Sequence, residues 1–140
     1  MLVGDDADRA DLRTLIEAVV ASHQREEQPR LVLAGPAIIV GPKTAANLAM
    51  AIHELATNAA KYGALSGEKG TVTVNWTFDG PRLRLVWQER GGPPVEPASQ
   101  RGFGSVLLTK ALFPAPNASR LTFDADGVRY ELFIADDIAV

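Results

Sequence analysis

The amino-acid sequence predicts an α/β fold, a two-layer sandwich in which a mixed, mostly antiparallel sheet is covered on one face by about three helices. Segments with helical spacing alternate with pairs of short strands, in the order helix, two strands, three times over. The strand pairs look antiparallel, with one polar and one apolar face. A sheet of this kind needs helices on its apolar side only.

The first half of the chain is predicted to form two helices with two strands between them. The first helix covers about Asp8–His23, where apolar residues recur at helical spacing. Two strands follow, at Arg30–Leu33 and Ala37–Val40, joined by a turn. The second helix covers about Pro42–Tyr62, and Gly63 is expected to end it in a left-handed conformation.

The second half is predicted to hold two antiparallel hairpins with one helix between them. The bounds are Thr71–Phe78 and Arg82–Glu89 for the first hairpin, Ser105–Phe113 for the helix, and Ser119–Asp124 and Val128–Ala135 for the second hairpin. Turn signals at Asp79-Gly80 and Asp126-Gly127 join the strands of each hairpin.

Composition favours one cytoplasmic domain that spans residues 1–140. The chain has 140 residues, of which 46% are hydrophobic and 22% charged, and its net charge is −3. Nucleic acid and membrane surfaces are therefore not expected as partners. The absence of cysteine excludes disulfides, a thiolate nucleophile and metal sites that use sulfur. No secretory signal opens the chain, and residues 1–10 are expected to be flexible or the remnant of a linker.

A polar stripe follows one face of the second predicted helix. Asn47, Ala51, Glu54, Asn58 and Lys61 are three and four residues apart. An amide oxygen at 58 is a hard ligand suited to Mg²⁺, and the carboxylate one turn earlier can orient a water or accept a proton. The ammonium at 61 supplies a cation for a phosphate. The same pattern is also typical of a solvated helix face.

An acidic residue follows the apolar face of a predicted strand. Glu89 has the same parity as Leu83, Leu85 and Trp87, so it points to the same side of the sheet. A carboxylate on that side must be paired or must await a donor from a ligand, such as a purine amino group. The alternative is that the strand has already ended and that the carboxylate lies in solvent.

Two glycine-containing stretches follow this acid. Gly91 and Gly92 allow a flat ligand to approach the backbone closely. Gly102-Phe103-Gly104-Ser105 precedes a predicted helix, where free N–H groups and the helix dipole favour a phosphate. A metal-binding amide, an inward acid and a glycine anion site can all converge on one nucleotide.

These stretches resemble the ATP-binding domain of sensor histidine kinases, in the broad class that also holds gyrase and the mismatch-repair ATPases. The resemblance is greatest to the HWE subfamily. The segment from His53 to Ser66 is similar to its asparagine box, Trp87-Gln88-Glu89-Arg90-Gly91-Gly92-Pro93 to its first glycine box, and Gly102-Phe103-Gly104-Ser105 to its second. The similarity extends from about residue 11 to residue 134.

The resemblance implies a Bergerat ATP-binding fold and a role for each matched residue. Asn58 would ligate Mg²⁺ between the phosphates. Glu54 would lie near the γ-phosphate, which Lys61 would also contact. Tyr62 would pack near the adenine, and Glu89 would take the place of the adenine-reading acid of ordinary histidine kinases.

The remaining matched residues belong to the lid and to the helix. Gly102-Phe103-Gly104 would form the phosphate end of the lid, with Ser105 starting the next helix. The lid, Pro93–Arg101, is expected to be stiff because it contains three prolines. His53 would contact the ligand or serve in packing, since it points about 100° away from Glu54 on the helix.

The implied function is transfer of the γ-phosphoryl group of ATP to a histidine in bacterial two-component signalling. That histidine would lie on a dimerisation domain missing from this chain. Residues 1–10 would be the remnant of a linker to that domain. A response regulator would be the indirect partner. His23 and His53, the two histidines, do not match the acceptor motif, so stable self-phosphorylation is not expected. The alternatives are a free-standing serine kinase that acts as an anti-sigma factor, and a non-catalytic ATP-binding interaction module.

Overall fold

The structure is a computed structural model that describes residues 9–21, 30–93 and 106–139. The described strands are β1 (Ala10–Asp11), β2 (Leu31–Ala34), β3 (Ile39–Val40), β4 (Thr71–Asp79), β5 (Arg82–Arg90), β6 (Ser119–Asp124), β7 (Gly127–Ile134) and β8 (Ile138–Ala139). The described helices are α1 (Leu12–Val20), α2 (Pro42–Lys61) and a π-helical segment (Leu107–Ala111).

The strands form two sheets. The larger sheet has the order β2-β4-β5-β7-β6, and the smaller has the order β1-β3-β8. In the larger sheet β2 runs parallel to β4, whereas the other neighbours are antiparallel. This confirms the predicted class, a mixed and mostly antiparallel sheet with its helices on one face.

The core lies between the larger sheet and the helices. The inward residues of β4 and β5 are buried, as the alternation predicted: Val72, Val74, Trp76, Leu83, Leu85 and Trp87. Tyr130, Leu132 and Ile134 of β7 are buried on the same side. They pack in one cluster with buried residues of α1 and α2: Leu12, Ile16, Val20, Leu48, Ile52 and Leu55. Phe78, two residues after Trp76 on the same strand, is 37% exposed and lies next to the hairpin turn at residues 80 and 81.

The predicted antiparallel pairing of Arg30–Leu33 with Ala37–Val40 is wrong. β2 pairs with β4, and β3 pairs with β1 and β8. The segment between β2 and β3 packs on Trp76 instead of forming a hairpin turn. The Trp76 indole N–H donates to the Pro36 carbonyl at 2.8 Å, and a Cβ on Gly35 would overlap the indole ring. A long-range contact therefore replaces the local turn.

Side-chain carboxylates cap the first turns of both α-helices. α1 begins after Asp11, whose carboxylate accepts a hydrogen bond from the Thr14 N–H at 3.1 Å, whereas residues 8 and 23, its predicted limits, lie outside the described residues. α2 begins at Pro42 as predicted. Its first turn is capped from a distance, since the Asp137 carboxylate accepts from the Thr44 N–H at 3.3 Å. No helix in the described ranges is both long enough and apolar enough to cross a membrane.

Both hairpin turns lie one residue from their predicted positions. Asp79 still pairs with Arg82, so the first turn consists of residues 80 and 81. Asp124 pairs with Gly127, so the second turn consists of residues 125 and 126. The four strands of the two hairpins agree with the predicted bounds to within one residue at each end.

The helix predicted over Ser105–Phe113 is π-helical where the structure describes it. The Leu112 N–H donates to the Leu107 carbonyl at 3.1 Å, a five-residue spacing. The neighbouring carbonyl, that of Leu108, accepts a hydrogen bond from the buried Tyr130 hydroxyl at 2.7 Å. The sheet thus supplies a side-chain donor to a carbonyl of this segment.

We expect Tyr130→Phe to change the alkaline stability of the protein. Burial raises the pKa of Tyr130 well above its usual range, against a smaller opposing effect of the Ser119 hydroxyl. The folded state therefore holds the phenol proton more tightly than the unfolded state, and stability decreases as the pH rises above the unfolded pKa of about 10. Losing the hydrogen bond to Leu108 should cost about 1 kcal/mol at neutral pH.

Urea unfolding of both proteins between neutral pH and about pH 11 tests this expectation. The Phe variant should be less stable at neutral pH and should lose less stability at alkaline pH. Parallel stability curves for the two proteins would contradict it.

Candidate functional site

Glu89 lies at the end of β5 and is 2% exposed. Its Oε1 accepts a hydrogen bond from the Ala64 N–H at 3.0 Å, and its Oε2 accepts one from the Trp87 indole N–H at 3.0 Å. Trp87 is two residues earlier on the same side of the strand, so the Trp-x-Glu spacing lets the indole orient the carboxylate. The inward position predicted from strand parity is confirmed, and solvent exposure is excluded.

Glycines allow the backbone to close around this carboxylate. A Cβ on Gly63 would overlap Glu89 Oε1, and a Cβ on Gly92 would lie 2.6 Å from the Ala64 Cα. Gly91 has a φ of +75°, a conformation that L side chains rarely adopt. The first glycine box therefore packs directly on the loop that follows α2.

The left-handed conformation predicted for Gly63 is wrong. In the described residues the glycines with positive φ are Gly80, Gly91 and Gly127. Helix α2 ends at Lys61 with Tyr62 as its C-cap. The glycine at 63 is required for space, because the carboxylate at the end of β5 occupies the position of a side chain.

The second half of α2 brings the predicted polar residues to the same end of the domain. The Asn58 carbonyl accepts hydrogen bonds from the Tyr62 N–H at 2.8 Å and the Gly63 N–H at 3.1 Å. Because Gly63 packs on Glu89, the turn that contains Asn58 ends at the buried acid. The Glu54 and Asn58 side chains are half-buried.

The other predicted residues of the helix are exposed. Lys61 and His53 lie on the surface of α2, and Tyr62 is 44% exposed. Exposure of His53 disfavours a role in core packing. Tyr62 is the C-cap of α2, and its φ of −128° takes the backbone off the helical path at this residue.

The first half of the polar stripe has a structural role. Asn47 donates a hydrogen bond to the Leu112 carbonyl at 3.2 Å, and Ala51 is 1% exposed. Asn47 thus contacts the segment that follows the π-helical residues, and Ala51 belongs to the hydrophobic core. The chemistry predicted for the stripe therefore concerns only its last three residues.

The second glycine box and most of the lid lie outside the described residues. This applies to Gly102-Phe103-Gly104-Ser105 and to the lid after Pro93, so the phosphate site and the stiff lid stay predictions. Within the described ranges, no group of three or more His, Asp or Glu side chains could hold a metal ion. Mg²⁺ in nucleotide sites commonly uses one or two protein ligands together with phosphate oxygens.

A cavity of about 530 Å³ lies at the opposite end of the domain. Pro42, Asn47, Arg82, Leu112 and Phe133 are among its lining residues. The strand from Arg82 to the buried acid at position 89 spans about 23 Å at about 3.3 Å per residue. This cavity is therefore separate from the site at the end of β5.

One residue of the site was missed by the sequence analysis. Arg30, just before β2, donates to the Gly70 carbonyl through Nε and to the Ala64 carbonyl through Nη2, both at 2.7 Å. It therefore contacts the loop that donates to Glu89. Its sequence position, at the start of a short strand, carries no signal that distinguishes it from a surface cation.

Comparisons with known proteins identify the class of this fold. The structure of the Erythrobacter litoralis EL346 blue-light activated histidine kinase matches 89% of this chain and 40% of that chain, with a TM-score of 0.70 and 18% sequence identity. The catalytic domain of histidine kinase ThkA matches 90% of this chain and 94% of that chain, with a TM-score of 0.61 and 13% identity. The fold is that of a histidine kinase catalytic domain.

A curated relative gives the same result from sequence. Blue-light-activated histidine kinase 1 of Erythrobacter litoralis (strain HTCC2594) is 32% identical over 130 residues, which are 91% of this chain and 36% of the relative. The chain thus spans about a third of the length of that relative. No family model matches the chain. The chain is homologous to the histidine kinases, which confirms the resemblance predicted from its motifs.

Proposed function

We propose that the chain binds Mg-ATP at the junction of α2 and β5 and transfers the γ-phosphoryl group to a histidine on a dimerisation domain outside this chain. The observation that carries the proposal is the buried, oriented carboxylate of Glu89. It lies beside glycines that let the backbone pack closely around it and next to the helix turn that contains Asn58.

Glu89 is suited to recognise adenine. An ionised carboxylate only accepts hydrogen bonds and offers about four acceptor positions, and Ala64 and Trp87 each donate to one of the two Glu89 oxygens. It can accept from the amino group of adenine, whereas it would repel the carbonyl oxygen that guanine or hypoxanthine carries at the same position. The site should therefore prefer ATP to GTP and to ITP.

The end of α2 is suited to the phosphates. The Asn58 amide oxygen would hold Mg²⁺ together with phosphate oxygens, and the exposed ammonium of Lys61 would contact a phosphate. The metal would supply neutralisation of the charge on the transferring group. Glu54, one turn before Asn58, would orient the acceptor or take the proton released when the histidine nitrogen bonds to phosphorus.

Calorimetry with the purified chain tests nucleotide binding. Titration with ATP should give heat that depends on Mg²⁺, and GTP should give much less. An absence of heat at millimolar Mg-ATP would contradict the proposal.

Transfer can be tested with γ-labelled ATP and a histidine-bearing dimerisation domain from a related kinase. The label should appear on the partner, be lost in acid and survive alkali. Acid-stable label would support a serine kinase, and binding without turnover would support a non-catalytic module. Acid-labile label on this chain alone would contradict the assignment of the acceptor to another domain.

A further inference from the structure

We infer that Arg30 is a positioning residue that determines how well the site discriminates adenine, an inference that rests on the proposed role of Glu89. Arg30 reaches the loop between α2 and β4 from outside the three recognised motifs. Its guanidinium donates to the Ala64 and Gly70 carbonyls, both at 2.7 Å, and its own carbonyl accepts from the Val72 N–H at 2.8 Å. Its backbone and its side chain are thus both fixed.

The two carbonyls belong to the two ends of that loop. The ends are in contact, because a Cβ on Gly70 would overlap the Ala64 carbonyl oxygen. Two carbonyl oxygens that point to one place need donors there, and a guanidinium provides several donors in one rigid plane. Arg30 therefore closes the loop. A lysine at this position would act as a point charge and could not reproduce the planar pair of bonds.

Ala64 connects Arg30 to the buried acid. Its carbonyl accepts from Arg30 Nη2, and its N–H donates to Glu89 Oε1 at 3.0 Å. The position of Ala64 therefore determines where one oxygen of the carboxylate is held. Removing the guanidinium leaves Trp87 as the donor to the other oxygen, so the carboxylate stays at the site but is oriented less well. The expected loss concerns recognition of the base and spares the phosphate contacts.

The variants Arg30→Lys and Arg30→Met test this inference, with Arg120→Met as the matched control. Arg120 is an exposed arginine on β6, at the other edge of the sheet. We expect Arg30→Met to weaken ATP binding about tenfold, equivalent to about 1.4 kcal/mol, and to weaken ITP binding much less. Arg30→Lys should lie between the two, and Arg120→Met should bind as the wild type does. Calorimetry with both nucleotides gives the ratio of affinities.

A second measurement is independent of the nucleotide. Hydrogen exchange of the Ala64 amide, followed by NMR, should be faster in Arg30→Lys than in wild type, while amides of β5 stay protected. An unchanged exchange rate at Ala64, or equal weakening of ATP and ITP, would overturn the inference. A wild-type protein that does not prefer ATP to ITP, with exchange at Ala64 still dependent on Arg30, would overturn the role of Glu89 in the proposed function instead.

Discussion

Replacing Asn58 by alanine is expected to reduce phosphoryl transfer by at least about 100-fold, the scale of losing one group that stabilises charge in a transition state. The variant lacks the proposed Mg²⁺ ligand, so the dependence of ATP binding on Mg²⁺ should also weaken. Folding should be retained, because the Asn58 side chain is only half-buried and the helix-ending hydrogen bonds use its backbone carbonyl. Transfer assays and calorimetry with and without Mg²⁺ measure the two effects.

The matched control is Asn47→Ala, an identical change on the same helix. Its amide donates to the Leu112 carbonyl, so its loss should cost about 1 kcal/mol of stability and leave transfer intact. A wild-type transfer rate in Asn58→Ala would show that the metal ligand has been assigned wrongly. Equal transfer defects in the two variants would point to a structural effect on α2.

Replacing Glu89 by glutamine is expected to weaken ATP binding about tenfold to a hundredfold, the value of a hydrogen bond to a charged group. The amide group presents N–H donors where both neighbours, Ala64 and Trp87, already donate. One buried donor then loses its acceptor, so the free energy of unfolding should also decrease. Glu89→Ala should weaken binding to a similar extent.

The control for this change is Glu68→Gln. Glu68 is exposed and lies in the loop that contains Ala64. The substitution Glu68→Gln therefore removes the same charge from the same region. Its affinity for ATP should equal that of wild type. Glu89→Gln binding ATP with undiminished affinity and with unchanged preference over ITP would refute the proposed recognition of adenine.

The sequence predicts best where the backbone repeats regularly. The buried position of Glu89 follows from the two-residue period of a strand, which is insensitive to what lies on the other side of the sheet. The hydrogen bond that the Glu89 carboxylate accepts from the Ala64 N–H could not be predicted, since the two residues are 25 positions apart. The same contact explains the error at Gly63, where a steric requirement from β5 replaces the local preference for a left-handed cap.

Other errors have the same origin. A glycine and a proline between β2 and β3 signal a turn locally, but packing on Trp76 takes that segment across β4. The segment Leu107–Ala111 accepts a hydrogen bond from Tyr130, 22 positions from its acceptor, and no local pattern predicts this contact. A π-helical segment is rare and differs from an α-helix in its i→i+5 hydrogen bonds, which a five-residue apolar pattern does not show.

The small sheet, β1-β3-β8, is connected directly to the first turn of α2. β1 and β8 both pair with β3, and α2 begins two residues after β3, where the Gly41 N–H donates to the Asp137 carbonyl at 2.9 Å. A force transmitted through residues before β1 or after β8 would therefore act on the first turn of α2, a helix about 30 Å long. The opposite end of that helix carries Asn58 and Lys61, so a small rotation at its first turn would displace the residues that we propose to contact the phosphates.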